Sequence, residues 1–296
     1  SGDWEMYGVV YNTVDGDLQL SGRLFNNFDV SAAVYSQSFS VSGQESIPNG
    51  MAFNTDGTKM FVVGQTGDDV NEYALSTGFD VSTASFTDAF SVAGQDILPE
   101  GLAFNADGTK MFVVGRAGQD VNEYALTTGF DVSTASYSQL FSIGSQETIP
   151  HGIAFNTDGT KMFIVGKGGD AVYEYALSTG FDVSTASFTD SFSVSGQDTA
   201  PSDVAFNTSG TKMFVSGGVG QDVNEYALTT GFDVSTASFV DAFSVSSQDT
   251  FPQSVVFNTN GTKMFVLGGA DLDVNEYDVG SFAATSGYNP VHTTAS

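Results

Sequence analysis

The sequence predicts an all-β chain folded as a β-propeller of four-stranded antiparallel blades. Three observations predict it: a 51-residue repeat, a regular order of turns and strands inside each copy, and strands that are apolar on both faces. Pro48, Pro99, Pro150, Pro201 and Pro252 stand 51 residues apart. Around the first of them runs "IPNGMAFNTDGTKMFVVGQTGDDVNEYALSTGFDVSTASFTDAFSVAGQD", and the later copies differ from it at few positions. A fixed period of this length marks an architecture in which each copy is one supersecondary unit.

Each copy reads as four strands. Strand A is Gly50–Asn54, short and glycine-bearing, which suits a crowded centre. A turn follows at Asp56-Gly57, repeated as Asp107-Gly108, Asp158-Gly159, Ser209-Gly210 and Asn260-Gly261. Asp-Gly and Asn-Gly supply the positive φ of a tight hairpin turn. Strand B is Lys59–Gly64 and strand C is Val70–Leu75. "FDVST" can form one helical turn at most. Strand D is Ala84–Val92, with Phe86 and Phe90 expected on one face and Ser or Thr on the other, as befits a wet rim.

Strand B carries apolar residues at successive positions. A sheet with one solvated face alternates instead. Apolar residues on both faces require a sheet sandwiched between neighbours, as propeller blades are. A β-solenoid, the rival architecture, uses shorter rungs and lacks Asp-Gly hairpins.

Complete copies begin at Pro48, Pro99, Pro150 and Pro201, and the copy at Pro252 has strands A to C only. Residues 1–47 read as a degenerate N-terminal blade with strands at Trp4–Val10, Asp17–Leu24 and Val34–Val41. Residues 48–280 hold the repeats, and 281–296 form a closing strand or tail. The whole, 1–296, reads as a single propeller domain. This count favours six blades. Five is the alternative, with Val34–Val41 as the outer strand of the last blade. Phe28 lies 51 residues before Phe79, so "FDVSAAVYSQSFSV" keeps the repeat register.

Bulk composition narrows the function. The 296 residues include 41% hydrophobic ones, so the chain is not disordered by composition. No apolar run is long enough to cross a bilayer. The chain starts at Ser1 and lacks a signal peptide, so it reads as a processed product. There is no cysteine. With 35 acidic against 8 basic residues, the net charge is −27. Such a surface repels nucleic-acid phosphate and anionic lipid, so neither nucleic-acid binding nor membrane insertion is expected. It suits salty or divalent-rich water. No cofactor is expected. Calcium is the minority reading, because Asp69, Asp120, Asp222 and Asp273 recur ahead of strand C and Glu72 and its equivalents recur within it. One Asp per blade around a ring is a poor cage for an ion that takes six to eight oxygens.

Differences between copies locate the candidate site. In a four-stranded blade the A–B and C–D loops share one face, and the B–C and D–A loops share the other. The first set is nearly constant. The second varies: Asn49, Glu100, His151, Ser202 and Gln253 follow the repeated proline, and Gln65, Arg116, Lys167, Gly218 and Gly269 follow strand B. Five of the eight basic residues are the same strand-B lysine, while Arg116 and Lys167 fall on the variable face in adjacent blades. Loops on a rigid scaffold commonly carry function. Asn49, Glu100, Arg116, His151, Lys167, Ser202 and Gln253 are therefore the candidate ligand-binding residues, with Glu100, Arg116, His151 and Lys167 as an asymmetric polar patch. No nucleophile elbow, zinc-protease or phosphate-loop motif occurs, and no catalytic residue is assigned. Asn49, Glu100, His151 and Asp203 could ligate a metal, which would make a hydrolase the minor alternative.

The stretch "AFNTDGTKMFVVG…DDVNEYAL" resembles YVTN- and NHL-type propeller repeats, strongly from Pro48 to Asp278 and weakly before. The wording "DVNEYALSTGFDVSTASF" resembles tandem repeats in virion-associated proteins of marine bacteriophages. The resemblance implies a propeller at an extracellular or virion surface, and it specifies no activity. The expected function is non-enzymatic recognition or adhesion, binding a cell-surface glycan or protein through the B–C/D–A face. The alternative is a structural protein that assembles with copies of itself.

Overall fold

A computed structural model describes residues 5–14, 17–25 and 27–279. It is a β-propeller of five blades, each a four-stranded antiparallel sheet. In the first blade, strand A runs Pro48–Phe53, B Lys59–Gly64, C Asp69–Leu75 and D Ala84–Ser91. The next three blades repeat this at Pro99–Ser142, Pro150–Ser193 and Pro201–Ser244. In the fifth, Pro252–Phe257, Lys263–Gly268 and Asp273–Asp278 supply A to C. Its outer strand is Val34–Ser40, from the opposite end of the chain. Strands A lie side by side around a closed ring, the fifth against the first.

The ring therefore has five blades where the strand count favoured six. Val34–Ser40 pairs with the fifth strand C, Tyr35 facing Tyr277 and Phe39 facing Val274. It does not pair with Asp17–Phe25, which forms a separate two-stranded sheet with Glu5–Val14. The physical reason is register. Phe28–Ser40 is the element the fifth copy lacks, and every anchor that element uses elsewhere is waiting for it. Lys212 Nζ donates to the Phe28 carbonyl at 2.8 Å, as Lys59 does to that of Phe130 at 2.6 Å. Val30 N donates to Glu225 Oε2, as Val132 N does to Glu72. The Phe28 ring completes a three-phenylalanine stack with Phe214 and Phe257, matching Phe61, Phe104 and Phe130. The closing strand proposed at residues 281–296 lies outside the described residues.

The two-sided strand B does what its sequence requires. Phe61 and Val63 pack against the second blade, while Met60 and Val62 pack against the fifth. The lysine that heads each strand B pairs with the strand-C glutamate of its own blade, for example Lys59 with Glu72 at 2.7 Å and Lys110 with Glu123 at 2.8 Å. Each of the five glutamates also accepts from a backbone N–H in the C–D loop of the next blade, and Lys59, Lys110, Lys161 and Lys212 donate to a carbonyl there, so four of the lysines are interblade struts. The glutamates are nearly fully buried. Such a carboxylate is tolerated because an ammonium and a backbone N–H both satisfy it.

Two local expectations are refined. "FDVST" is a 3₁₀ turn, Val81–Thr83, capped by Asp80, which accepts from Ser82 N. The phenylalanine before it is left-handed, φ 57° at Phe79, with its ring lying where a side chain on Gly57 would be. Gly57 is thus held both by its own φ of 72° and by that ring. In strand D, Phe86 and Phe90 do not share a face. Tyr73 faces Phe86 and Glu72 faces Asp88, which leaves Thr87 as a bulge. The extra residue reverses the alternation. Phe86 then packs on Tyr73 of its own blade, and Phe90 on Tyr124 of the next.

Candidate functional site

On the face that varies between copies, a repeated carboxylate ties the D–A loop to the B–C loop. Asp96 accepts from Leu98 N at 2.6 Å, Ala117 N at 3.3 Å and Gly118 N at 2.6 Å. Glu147 likewise accepts from Ile149 N, Gly168 N and Gly169 N. Glu45, Asp198 and Asp249 do the same in their blades, and all five are buried. Sequence reasoning missed these clips. Their signal was present, an acid three residues before every repeated proline, always after Gln. They fix the loops that frame the site.

Inside that frame, Asn49, Glu100, His151, Ser202 and Gln253 form a ring at the mouth of the central channel. All five are buried rather than displayed. Asn49 Nδ2 donates to the Pro99 carbonyl at 2.9 Å, and Ser202 Oγ to that of Pro252 at 2.8 Å. Gln253 Nε2 reaches Asn49 Oδ1 at 3.3 Å. Three members thus spend their polar atoms on neighbouring blades.

Glu100 and His151 behave differently. Glu100 is 2% exposed. Its carboxylate meets Arg116 Nε at 3.3 Å and His151 Nδ1 at 3.2 Å, and Gln65 Nε2 donates to it at 3.1 Å. Residues of three blades therefore converge on one carboxylate. His151 Nε2 is buried and has no hydrogen-bond partner. A carboxylate on one imidazole nitrogen fixes the ring and directs the other nitrogen outward from the pair. Lys167 lies beside the cluster, its Nζ 5.5 Å from the centre of the Phe251 ring. Burial lowers the Lys167 ammonium from its usual range; Glu100 counters that and Arg116 adds to it. Lys167 has no ion-pair partner among the described residues. Around this centre the loops expose Ile47, Ile97, Ile149, Val219 and Phe251. The structure thus brings Glu100, Arg116, His151 and Lys167 together. It sets Asn49, Ser202 and Gln253 on the same ring as scaffold.

The four residues weighed as a metal ring do not converge. Asp203 turns into the wall, accepting from Ser254 Oγ at 2.5 Å and Val255 N at 3.1 Å. The acidic ladder is hydrogen-bonded locally: Asp69, Asp120 and Asp222 each accept from the Asn two residues on, at 2.7 Å. Asp273 accepts from Ser38 Oγ at 3.0 Å. Among the described residues no group of three His, Asp or Glu side chains is gathered to hold a metal ion.

No family model matches the chain, and no curated protein does. Solved structures do resemble it. A luciferin-regenerating enzyme aligns with a TM-score of 0.50 at 12% identity, over 81% of this chain and 94% of that one. A putative 6-phosphogluconolactonase from Bacteroides uniformis ATCC 8492 gives 0.49 at 13% identity, over 90% and 75%. Another, from Bacteroides fragilis NCTC 9343, gives 0.46 at 14% identity, over 73% of this chain and 62% of its own length. Likeness at this identity carries the fold alone. It also corrects one expectation: the fold is shared with a protein named as an enzyme, so the fold gives the reading of this chain as non-enzymatic no support, and that reading is withdrawn. Val34–Ser40 completes the fifth blade, so each of the five described blades has four strands. No helix among the described residues is long and apolar enough to cross a membrane.

Proposed function

We propose that the protein recognises an acidic glycan at the channel mouth, at a cell or virion surface. The observation that carries this reading is the convergence of Glu100, Arg116, His151 and Lys167 in a chain whose five strand-B lysines are each committed to a glutamate of their own blade. Arg116 and Lys167 bring two cations to one spot on a protein of net charge −27, where the framing carboxylates, Asp96, Glu147 and Asp198 among them, are engaged by backbone N–H groups. That favours an anionic group on the ligand. The unpartnered His151 Nε2 suits a donated sugar hydroxyl. Phe251, 44% exposed beside Lys167, offers an apolar platform for a sugar ring. The virion or cell-surface setting draws support from the resemblance of the repeat wording and from a charge suited to salty water.

A glycan array tests it. Native protein is expected to retain uronate- or sialate-bearing glycans over their neutral counterparts. Arg116→Ala/Lys167→Ala is expected to lose at least about tenfold in affinity, since losing a desolvated charge contact with a ligand costs about 2–5 kcal/mol and tenfold is about 1.4 kcal/mol. Equal retention by the double variant, or a preference for neutral glycans, rules the reading out.

A further inference from the structure

The third position of strand A is Gly50, Gly101, Gly152, then Asp203 and Ser254. In the glycine blades, neighbouring backbones approach so closely that a Cβ on Gly50 would lie 2.5 Å from the Glu100 carbonyl. The last two blades break this pattern together. Asp203 spans the gap between them, its carboxylate held by Ser254 Oγ at 2.5 Å, Val255 N at 3.1 Å and Val204 N at 2.8 Å. It lines a cavity of about 370 Å³ in the central channel. The walls there are Met51, Leu102, Ile153, Val204 and Val255, and neutral Asn and Thr side chains of the A–B turns border it. Among the described residues no Lys, Arg or His lines this cavity. A buried carboxylate with no countercharge is costly, and a carboxylate offers about four acceptor sites, of which three are occupied here.

We propose that the channel cavity is a second site, separate from the mouth cluster, that takes a linear primary alkylammonium. The ammonium sits on Asp203 and the alkyl chain lies among Met51, Leu102, Ile153, Val204 and Val255. The chemistry is complementary at both ends: one anionic acceptor at the wall, and apolar side chains along the bore. A metal ion is a poorer occupant, because the lining gathers one carboxylate rather than several oxygens of high charge. Burial also raises the Asp203 carboxyl to about 7, consistent with the missing countercharge.

The test is calorimetric titration of the full chain with n-hexylammonium and with n-hexanol, in salt high enough to screen the acidic surface. One saturable hexylammonium site is expected at roughly pH 8, with hexanol at least about tenfold weaker, the tenfold step being 1.4 kcal/mol. Asp203→Asn preserves shape, and Asp203→Gly restores the residue of the first three blades; both are expected to lose the preference for the ammonium. Arg116→Ala/Lys167→Ala is expected to leave it intact, which separates this site from the mouth. Absence of a saturable site in native protein, or equal hexylammonium affinity in Asp203→Asn, overturns the proposal.

Discussion

Removing residues 1–41 is expected to abolish cooperative folding of the propeller, whereas removing residues 1–26 is expected to leave its melting temperature nearly unchanged. The first deletion takes away Phe28, Val30, Phe39 and Val41, and Val30 and Val41 are fully buried. Truncating a single buried aromatic or aliphatic side chain costs about 2–5 kcal/mol. Four such losses reach or exceed the roughly 5–15 kcal/mol margin of a typical protein. The deletion also strips Glu225 of Val30 N and Lys212 of the Phe28 carbonyl, leaving a buried carboxylate short of a partner. Among the described residues, the second deletion removes only a hairpin whose strands pair with each other. A rescue follows from the same reasoning. Transplanting residues 28–41 to follow Val279 through the Ser-Thr-Gly of the other copies is expected to restore folding to the long deletion, since it gives the fifth blade the chain order of the first four. Thermal unfolding by circular dichroism reads all three.

Asp203→Asn is expected to remove the share of the pH dependence of stability that this carboxyl imposes, in the same direction as the burial-raised Asp69, Asp120, Asp222 and Glu225. The Asp203 carboxyl is raised from 3.8 to about 7 by burial, outweighing three hydrogen bonds that favour its charged form. Between those values the folded chain holds a proton that the unfolded chain has released. Stability from this group is therefore highest below about pH 4 and falls as pH rises toward 7, then stays low. At 1.36 kcal/mol per unit the swing is at most about 4 kcal/mol. Asp56, Asp80, Asp107, Asp158 and Asp182 titrate the opposite way, held low mainly by Thr and Ser hydrogen bonds. The native curve mixes both signs, and the difference from the Asn variant isolates Asp203. Denaturant midpoints are expected to favour the Asn variant progressively as pH rises from about 4 to about 8. A constant offset across that range contradicts the assignment of a buried, uncompensated carboxyl.

The repeat made most of the fold legible. Strand identities, the Asp-Gly turns, the single helical turn and the two loop faces can all be read from spacing and periodicity, because each depends on residues close in sequence. The blade count could not be. Phe28 shows the right register, but its ring packs on Phe214 and Phe257, and Tyr35 faces Tyr277. Those pairings join the two ends of the described propeller. The Thr87 bulge was equally hidden, since it exists only relative to strand C. At the site, comparison between copies picked out Glu100, Arg116, His151 and Lys167 but read them as exposed loop residues. Glu100 and His151 are in fact buried, because position two of strand A points into the crowded channel mouth. Asp96 and its four equivalents were unmarked among 35 acids, and only their backbone partners set them apart.

Ring closure underlies both candidate sites, and a disulfide trap tests it most directly. The chain has no cysteine, and Val34 faces Asp278 across the fifth blade. Facing residues of antiparallel strands lie about 4.5–5.5 Å apart between Cα atoms, within the usual span of a disulfide. With Val34→Cys/Asp278→Cys, mild oxidation is expected to give a monomeric chain of altered gel mobility that reverts on reduction, with its circular dichroism unchanged. A pair that stays reduced while the protein remains folded would contradict closure by Val34–Ser40.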